Sequence, residues 1–111
     1  MKNGISHFQK AKLYLDNIPM LPAGRELAES GINTGAANRN REDFNGGVDL
    51  PENLPQWCDN MLYDPQTAGP LLVACAPSAA NDILALFHRK GYSAAAVIGE
   101  CKAGSPVITV R

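Results

Sequence analysis

The chain has 111 residues, of which 45% are hydrophobic and 19% are charged, and this suits one globular domain with a single core. Ten lysines and arginines face eleven aspartates and glutamates, and this balance excludes a general attraction for nucleic acid or anionic lipid. Three scattered cysteines exclude a disulfide framework. The sequence has neither the apolar core of a signal peptide nor an apolar stretch long enough to cross a membrane. We therefore expect a cytoplasmic chain with no nucleic-acid or membrane partner.

The first half of the chain predicts a strand, a helix and a long loop. Residues 11–18 alternate loosely between apolar and polar side chains, as a strand with one covered face does. Residues 22–30 begin with a proline and precede Gly31, which predicts a short helix with a glycine stop. Residues 33–47 are rich in Asn, Gly and Arg and predict a long polar loop, a kind of segment that often carries function.

The second half predicts two helices and three strands. A short helix is expected within residues 51–63, and the continuous apolar run at residues 71–76 is typical of a strand buried on both faces. Residues 79–90 carry an apolar stripe at helical spacing and predict the clearest helix. Residues 94–99 and 107–110 predict two strands joined by a connection short enough for a hairpin.

The order of these elements indicates the fold class. A series of strand, helix, loop, helix, strand, helix, strand and strand predicts an α+β domain over residues 1–111. We expect a mixed four-stranded sheet with the helices packed on one face.

Common catalytic motifs are missing from the sequence. There is no P-loop, no G-x-G-x-x-G, no H-E-x-x-H and no G-x-S-x-G. His88 is interpreted as a surface residue near the end of a helix, and the cysteines as structural, with Cys75 inside the apolar strand.

Two polar segments remain as candidate sites. In residues 35–41, small residues such as Gly35 allow a close backbone approach, and two arginines, Arg39 and Arg41, with Asn40 offer donors for phosphate oxygens. On the residues alone, this segment is either a phosphate-contacting loop or a solvated turn.

The second polar segment precedes the apolar run. Asp64 could hold a metal or accept hydrogen bonds from amides, Gln66 and Thr67 offer donors, and Gly69 permits a tight bend. The plain alternative is an Asx-type turn that joins a helix to a strand.

A family resemblance adds to this interpretation. Residues 64–72, Asp-Pro-Gln-Thr-Ala-Gly-Pro-Leu-Leu, resemble the D-P-Q-T-S-G-G-L-L signature of selenophosphate synthetases (selenide, water dikinases). The similarity extends from about residue 13 to residue 111 and includes the proline-bracketed stretch at residues 18–22 and Ala-Val-Ile-Gly-Glu at residues 96–100.

The resemblance implies a fold, a reaction and partners. The fold would be the PurM-like carboxy-terminal domain of the aminoimidazole ribonucleotide synthetase architecture. Intact family enzymes use ATP, selenide, water and magnesium to make selenophosphate, AMP and phosphate. The catalytic groups lie in an amino-terminal domain, which we expect to be absent here and to be the natural partner. We therefore expect no tight ATP or magnesium binding and no activity from the fragment alone.

Two departures from the signature bear on the site. Ala68 replaces a serine and removes a hydroxyl, and Pro70 replaces a glycine and removes a backbone donor. The competing hypotheses are a non-catalytic module that self-associates as a homo-oligomer and a domain of a related ATP-using synthetase.

Overall fold

A mixed four-stranded sheet organises the computed structural model, which describes residues 9–65 and 70–111. Its strands are β1 (Gln9–Leu13), β2 (Val48–Asp49), β3 (Gly99–Ala103) and β4 (Ile108–Val110). They lie in the order β2-β4-β1-β3. β4 is parallel to β1 and β2, whereas β3 is antiparallel to β1. The predicted α+β class with a mixed four-stranded sheet is confirmed.

The sheet has one apolar and one polar face, because successive side chains of a strand point to opposite sides. On one face Ala11 lies between Ile108 and Cys101, while on the other Lys12 lies between Thr109 and Glu100. The apolar face can therefore take helices and the polar face suits water.

Four helices accompany the sheet: α1 (Pro22–Glu29), α2 (Gly35–Phe44), α3 (Gln56–Tyr63) and α4 (Ala80–Arg89). α3 packs against both α1 and α2. The pair α2–α3 borders the apolar face of the sheet around a cavity of about 220 Å³. That cavity is lined by Leu13, Phe44, Val48, Leu62, Tyr63, Ile108 and Val110. The buried apolar residues are Ala28, Ala37, Cys58, Tyr63 and Val110.

Several predicted elements are confirmed within a residue or two. They are the helix at residues 22–30, the helix within 51–63, the helix at 79–90 and the strand at 107–110. The first predicted strand is correct only at its start, since β1 ends at Leu13 and a 3₁₀ turn occupies Leu15–Asn17. Among the residues described, none of the helices has both the length and the apolarity that crossing a bilayer requires.

The predicted loop at residues 33–47 is wrong, because α2 occupies most of it. The least exposed residues of α2 are Ala36, Ala37, Asn40 and Arg41, which face inward at helical spacing, and two of these four are polar. An inward face that is half polar hides the apolar periodicity by which such a helix is recognised.

The strand predicted at residues 71–76 is also wrong, since the segment pairs with no strand here. Leu71 and Leu72 are 82% and 78% exposed, and Cys75 is exposed rather than buried. An apolar run forms a strand only where a neighbouring strand hydrogen-bonds to its backbone. The four strands of this sheet are formed by other segments.

The last two strands are arranged differently from the prediction. The strand expected at residues 94–99 begins at Gly99 and runs to Ala103. It carries Glu100 opposite Lys12 in the register, and apolar patterning does not reveal such polar positions. The expected hairpin is wrong, because β1 lies between β3 and β4.

Candidate functional site

The amino end of α2 and the end of α3 meet through one threonine. The Thr34 hydroxyl accepts from the Ala37 backbone amide at 3.1 Å, which makes Thr34 the N-cap of α2. The same hydroxyl donates to Asp64 Oδ1 at 3.1 Å. The start of the polar bend is thereby held beside the first turn of a ten-residue helix.

Gly35 and Arg39 occupy the first two turns of the same helix. A Cβ added at Gly35 would lie 3.5 Å from Arg39 Nη1, so the arginine folds back over the helix start where the glycine leaves room. Both residues are exposed. Since Thr34 bonds Asp64, the structure brings Gly35, Arg39 and Asp64 to one end of α2.

Asn40 helps to position this site, because its side-chain amide is used in a hydrogen bond within the protein. Its Nδ2 donates to the Tyr63 carbonyl at 2.9 Å, and it is partly buried between α2 and α3. Tyr63 immediately precedes Asp64. The bond therefore fixes the point at which the chain leaves α3.

Arg41, the second arginine of residues 35–41, bonds α3 instead of facing outward as a phosphate partner. Its Nε donates to Asp59 Oδ1 at 2.7 Å and its Nη2 to Asn60 Oδ1 at 2.7 Å. Its Nη1 donates to Asn38 Oδ1 at 3.0 Å. Its guanidinium carbon lies 5.4 Å from the centre of the Tyr63 ring. No sequence pattern could have found these contacts, because the partners on α3 are distant in sequence and polar.

Burial raises the pKa of two side chains of α3. Burial raises the pKa of the Tyr63 phenol, the Asp59 charge raises it further, and the Arg41 charge opposes both. Burial likewise raises the pKa of the Cys58 thiol, against a lowering by Arg25. A buried thiol with a raised pKa is a weak nucleophile, which supports a structural role for Cys58.

The remaining sequence candidates contribute less to the described site. Gln66, Thr67 and Gly69 lie outside the described residues. His88 is exposed, with Nε2 2.9 Å from the Ala95 carbonyl oxygen, as expected of a surface residue. Among residues 9–65 and 70–111, no three His, Cys, Asp or Glu side chains cluster as metal ligands do. At this surface Asp64 supplies one carboxylate, and a magnesium ion bound there would need further ligands from water, phosphate or other residues.

Comparisons with known proteins complete this description. No protein-family model matches the chain. It is 43% identical over 100 residues to a selenide, water dikinase of Paraburkholderia xenovorans and 38% identical over 101 residues to one of Dechloromonas aromatica. It is 43% identical over 98 residues to one of Rhizobium meliloti. The alignments cover 90%, 91% and 88% of this chain, but the chain spans only 28%, 29% and 28% of those relatives.

Proposed function

We propose that this chain, which is related to a segment of the selenide, water dikinases, works as the carboxy-terminal domain of such an enzyme. The relatedness covers about nine-tenths of the chain and supports the family resemblance. Selenophosphate formation from ATP, selenide and water is the activity that we propose for the whole enzyme. The proposal includes an amino-terminal partner domain and a cytoplasmic location.

The observation that carries the site proposal is the hydrogen bond from Thr34 to Asp64. It joins the signature bend to the amino end of α2, where free backbone amides and the helix dipole favour an anion. Arg39 adds a guanidinium that can pair with two phosphate oxygens. We infer that this surface faces the nucleotide phosphates in the closed enzyme.

Each side chain has its own part in this proposal. Arg39 binds phosphate directly, and Gly35 leaves the space in which the guanidinium turns back toward the helix end. Thr34 and Asn40 hold the bend in place through Asp64 and the Tyr63 carbonyl. The metal chemistry of the intact enzyme requires ligands beyond the described residues, so no metal-dependent step is assigned to this chain.

A chimera tests the proposal directly. The homologous segment of the Paraburkholderia xenovorans enzyme is replaced by this chain, and selenide-dependent AMP release is measured. We expect activity in the chimera and an Arg39→Gln loss of about tenfold or more in kcat/KM for ATP, since a charged hydrogen bond contributes about 1.5–3 kcal/mol. Arg89→Gln, on the exposed end of α4, is the matched control and should leave kcat/KM unchanged.

Two results would count against the proposal. An inactive but folded chimera would contradict the assignment as a domain of this enzyme. An active chimera that tolerates Arg39→Gln would retain the domain assignment and reject the phosphate surface.

A self-associating, non-catalytic module is the second candidate function. Large apolar side chains on the described surface favour it, including Leu71, Leu72, Phe44 and Ile32. Light scattering across a concentration series separates the two, because a strictly monomeric chain at high concentration would reject the module.

A further inference from the structure

An open cavity lies on the polar face of the sheet, which the proposed nucleotide surface does not use. Its volume is about 320 Å³, and its lining side chains come from all four strands and from the residue that follows β4. This volume is at the lower end of the roughly 300–1,000 Å³ that is usual for small-molecule pockets. Because side chains alternate along a strand, the cavity lies on the side of the sheet opposite to α2 and α3.

Positive charge dominates the lining of this cavity. Its four cations are Lys10, Lys12, Lys102 and Arg111, and its two carboxylates are Asp49 and Glu100. The whole chain, by contrast, has a formal net charge of −1. The polar face is therefore a positive region on a slightly acidic chain, and a cleft with an excess of one charge concentrates ions of the opposite sign.

Both carboxylates of the cavity already have cation partners. Asp49 Oδ2 lies 3.1 Å from Arg111 Nη2, and Glu100 Oε1 lies 3.8 Å from Lys102 Nζ. Within residues 9–65 and 70–111, the two lysines of β1 form no ion pair. Their ammonium groups are thus available to an anion from outside.

The strand register sets like charges side by side in the cavity. Lys10 of β1 is directly opposite Lys102 of β3, a position at which Cβ atoms are about 4.5–5.5 Å apart. Like charges directly opposite each other destabilise an antiparallel pair. Lys12 follows on the same face about 7 Å along the strand. An anion bound among these three side chains would offset their repulsion.

The positions of the other polar residues favour a small anion. Thr109 lies between Lys12 and Asp49 in the register, and its hydroxyl adds an uncharged donor. Asp49 and Glu100 stand at the two ends of this row of residues, where they repel an anion that extends past the cavity. Cations spread along a strand suit two linked phosphate groups better than one charge, and the flanking carboxylates disfavour nucleic acid and anionic lipid surfaces.

We propose that the polar face of the sheet is a binding site for a small polyanion of the pyrophosphate class. Lys10, Lys12 and Lys102 supply the ammonium groups, and Thr109 supplies a hydroxyl donor. The site is separate from the phosphate surface proposed at the amino end of α2, because α2 and α3 border the opposite face of the sheet. This inference stands independently of the proposed function.

An NMR titration of the chain with inorganic pyrophosphate, at constant ionic strength, tests the site. Backbone amides of β1 and β3 should shift and reach saturation. Lys10→Gln and Lys102→Gln should each weaken binding by about threefold to tenfold, because each removes one ammonium group from an exposed site. Lys90→Gln, at the exposed end of α4, makes the same change in net charge and should leave the binding constant unchanged.

The stability of the chain supplies a second readout. Pyrophosphate should raise the urea midpoint of the wild type, because a ligand that binds only the folded chain stabilises it. The rise should be smaller in Lys10→Gln. Sodium chloride at the same ionic strength is the reference and should affect the two proteins equally. Without pyrophosphate, Lys10→Gln should be no less stable than the wild type, because it removes one of two like charges.

Three results would overturn the proposal. Amide shifts in β1 and β3 that grow without saturation would show screening by salt alone. Equal weakening in Lys90→Gln and Lys10→Gln would show a response to net charge and not to a site. Shifts confined to residues 34–41 that vanish in Arg39→Gln would place the anion at the amino end of α2, which would support the proposed function while rejecting the site on the sheet.

Discussion

Arg41 illustrates how one polar side chain can join two packed helices. Its guanidinium bonds Asn38 on its own helix and Asp59 and Asn60 on α3, and it lies over the Tyr63 ring. The exposed fractions of the Arg41 and Asp59 side chains are 24% and 23%, so solvent screens this pair less than a surface pair. The planar guanidinium suits three acceptors at fixed angles, which a lysine ammonium cannot reproduce.

We predict that Arg41→Ala lowers the free energy of unfolding by about 2–3 kcal/mol, because it leaves Asp59 and Asn60 without their donor. Urea denaturation followed by circular dichroism measures the change. Arg89→Ala, on the exposed end of α4, should change it by less than about 0.5 kcal/mol. Equal effects of the two substitutions would refute the structural role assigned to Arg41.

Tyr63 has a buried hydroxyl for which no hydrogen-bond partner is present in the described structure. We predict that Tyr63→Phe raises the free energy of unfolding at pH 7 by about 1 kcal/mol, because the substitution removes an unsatisfied polar group. Tyr92→Phe, which changes an exposed tyrosine, is the control and should have no measurable effect. A loss of stability in Tyr63→Phe would show that the hydroxyl has a partner.

The same residue predicts an alkaline instability. Burial raises the pKa of Tyr63 in the folded chain, so above about pH 10 the unfolded chain loses the proton first. The part of the free energy of unfolding that comes from keeping Tyr63 protonated is therefore fully present below about pH 10 and is lost as the pH rises through the pKa of the folded chain. Thermal unfolding between pH 8 and 11 should show a smaller decline in Tyr63→Phe than in the wild type.

At the scale of secondary structure, α2 shows what capping contributes. Its sequence, Gly-Ala-Ala-Asn-Arg-Asn-Arg-Glu-Asp-Phe, contains several weak helix formers, among them a glycine, two asparagines and an aspartate. Thr34 compensates at the amino end, and the fully buried Ala37 lets α3 approach closely. Apolar patterning alone missed this helix, but a threonine three residues before Ala37 was a readable start signal.

We predict that Thr34→Ala destabilises the chain by about 1 kcal/mol, because it removes the N-cap of α2 and the donor to Asp64. Thr34→Ser retains a hydroxyl and should stay within about 0.3 kcal/mol of the wild type. Urea midpoints at constant m-value give both numbers. Two variants of equal stability would contradict the assigned cap.

The close approach of β1 and β3 depends on Gly99. A Cβ at this position would collide with the Lys12 carbonyl oxygen and approach Leu13 Cα to 3.1 Å. We predict that Gly99→Ala costs about 1–3 kcal/mol, since backbone must move to admit the methyl group. Gly46→Ala is the matched control, because nothing lies within 4 Å of the added atom there. Wild-type stability in Gly99→Ala would show that the strands separate easily.

For the molecule as a whole, the sequence was informative about class and kinship and less so about pairing. The α+β class, four of the elements and the family resemblance followed from periodicity, glycine stops and the residue 64–72 signature. The pairing of β1 with β3 did not, because it places the polar Lys12 and Glu100 opposite each other and requires the bare Gly99 backbone. The Thr34–Asp64 contact was likewise unreadable, since it joins two segments that are remote in sequence.

The order of strands also constrains how the chain acquires its structure. β4 follows every other described element in the chain, yet in the sheet it lies between β1 and β2. During synthesis on a ribosome, β2 has no strand neighbour until β4 emerges, so the sheet closes late through contacts between distant segments. The packed pair of α2 and α3, which are close in the chain, is the part of the domain that can form before the sheet closes.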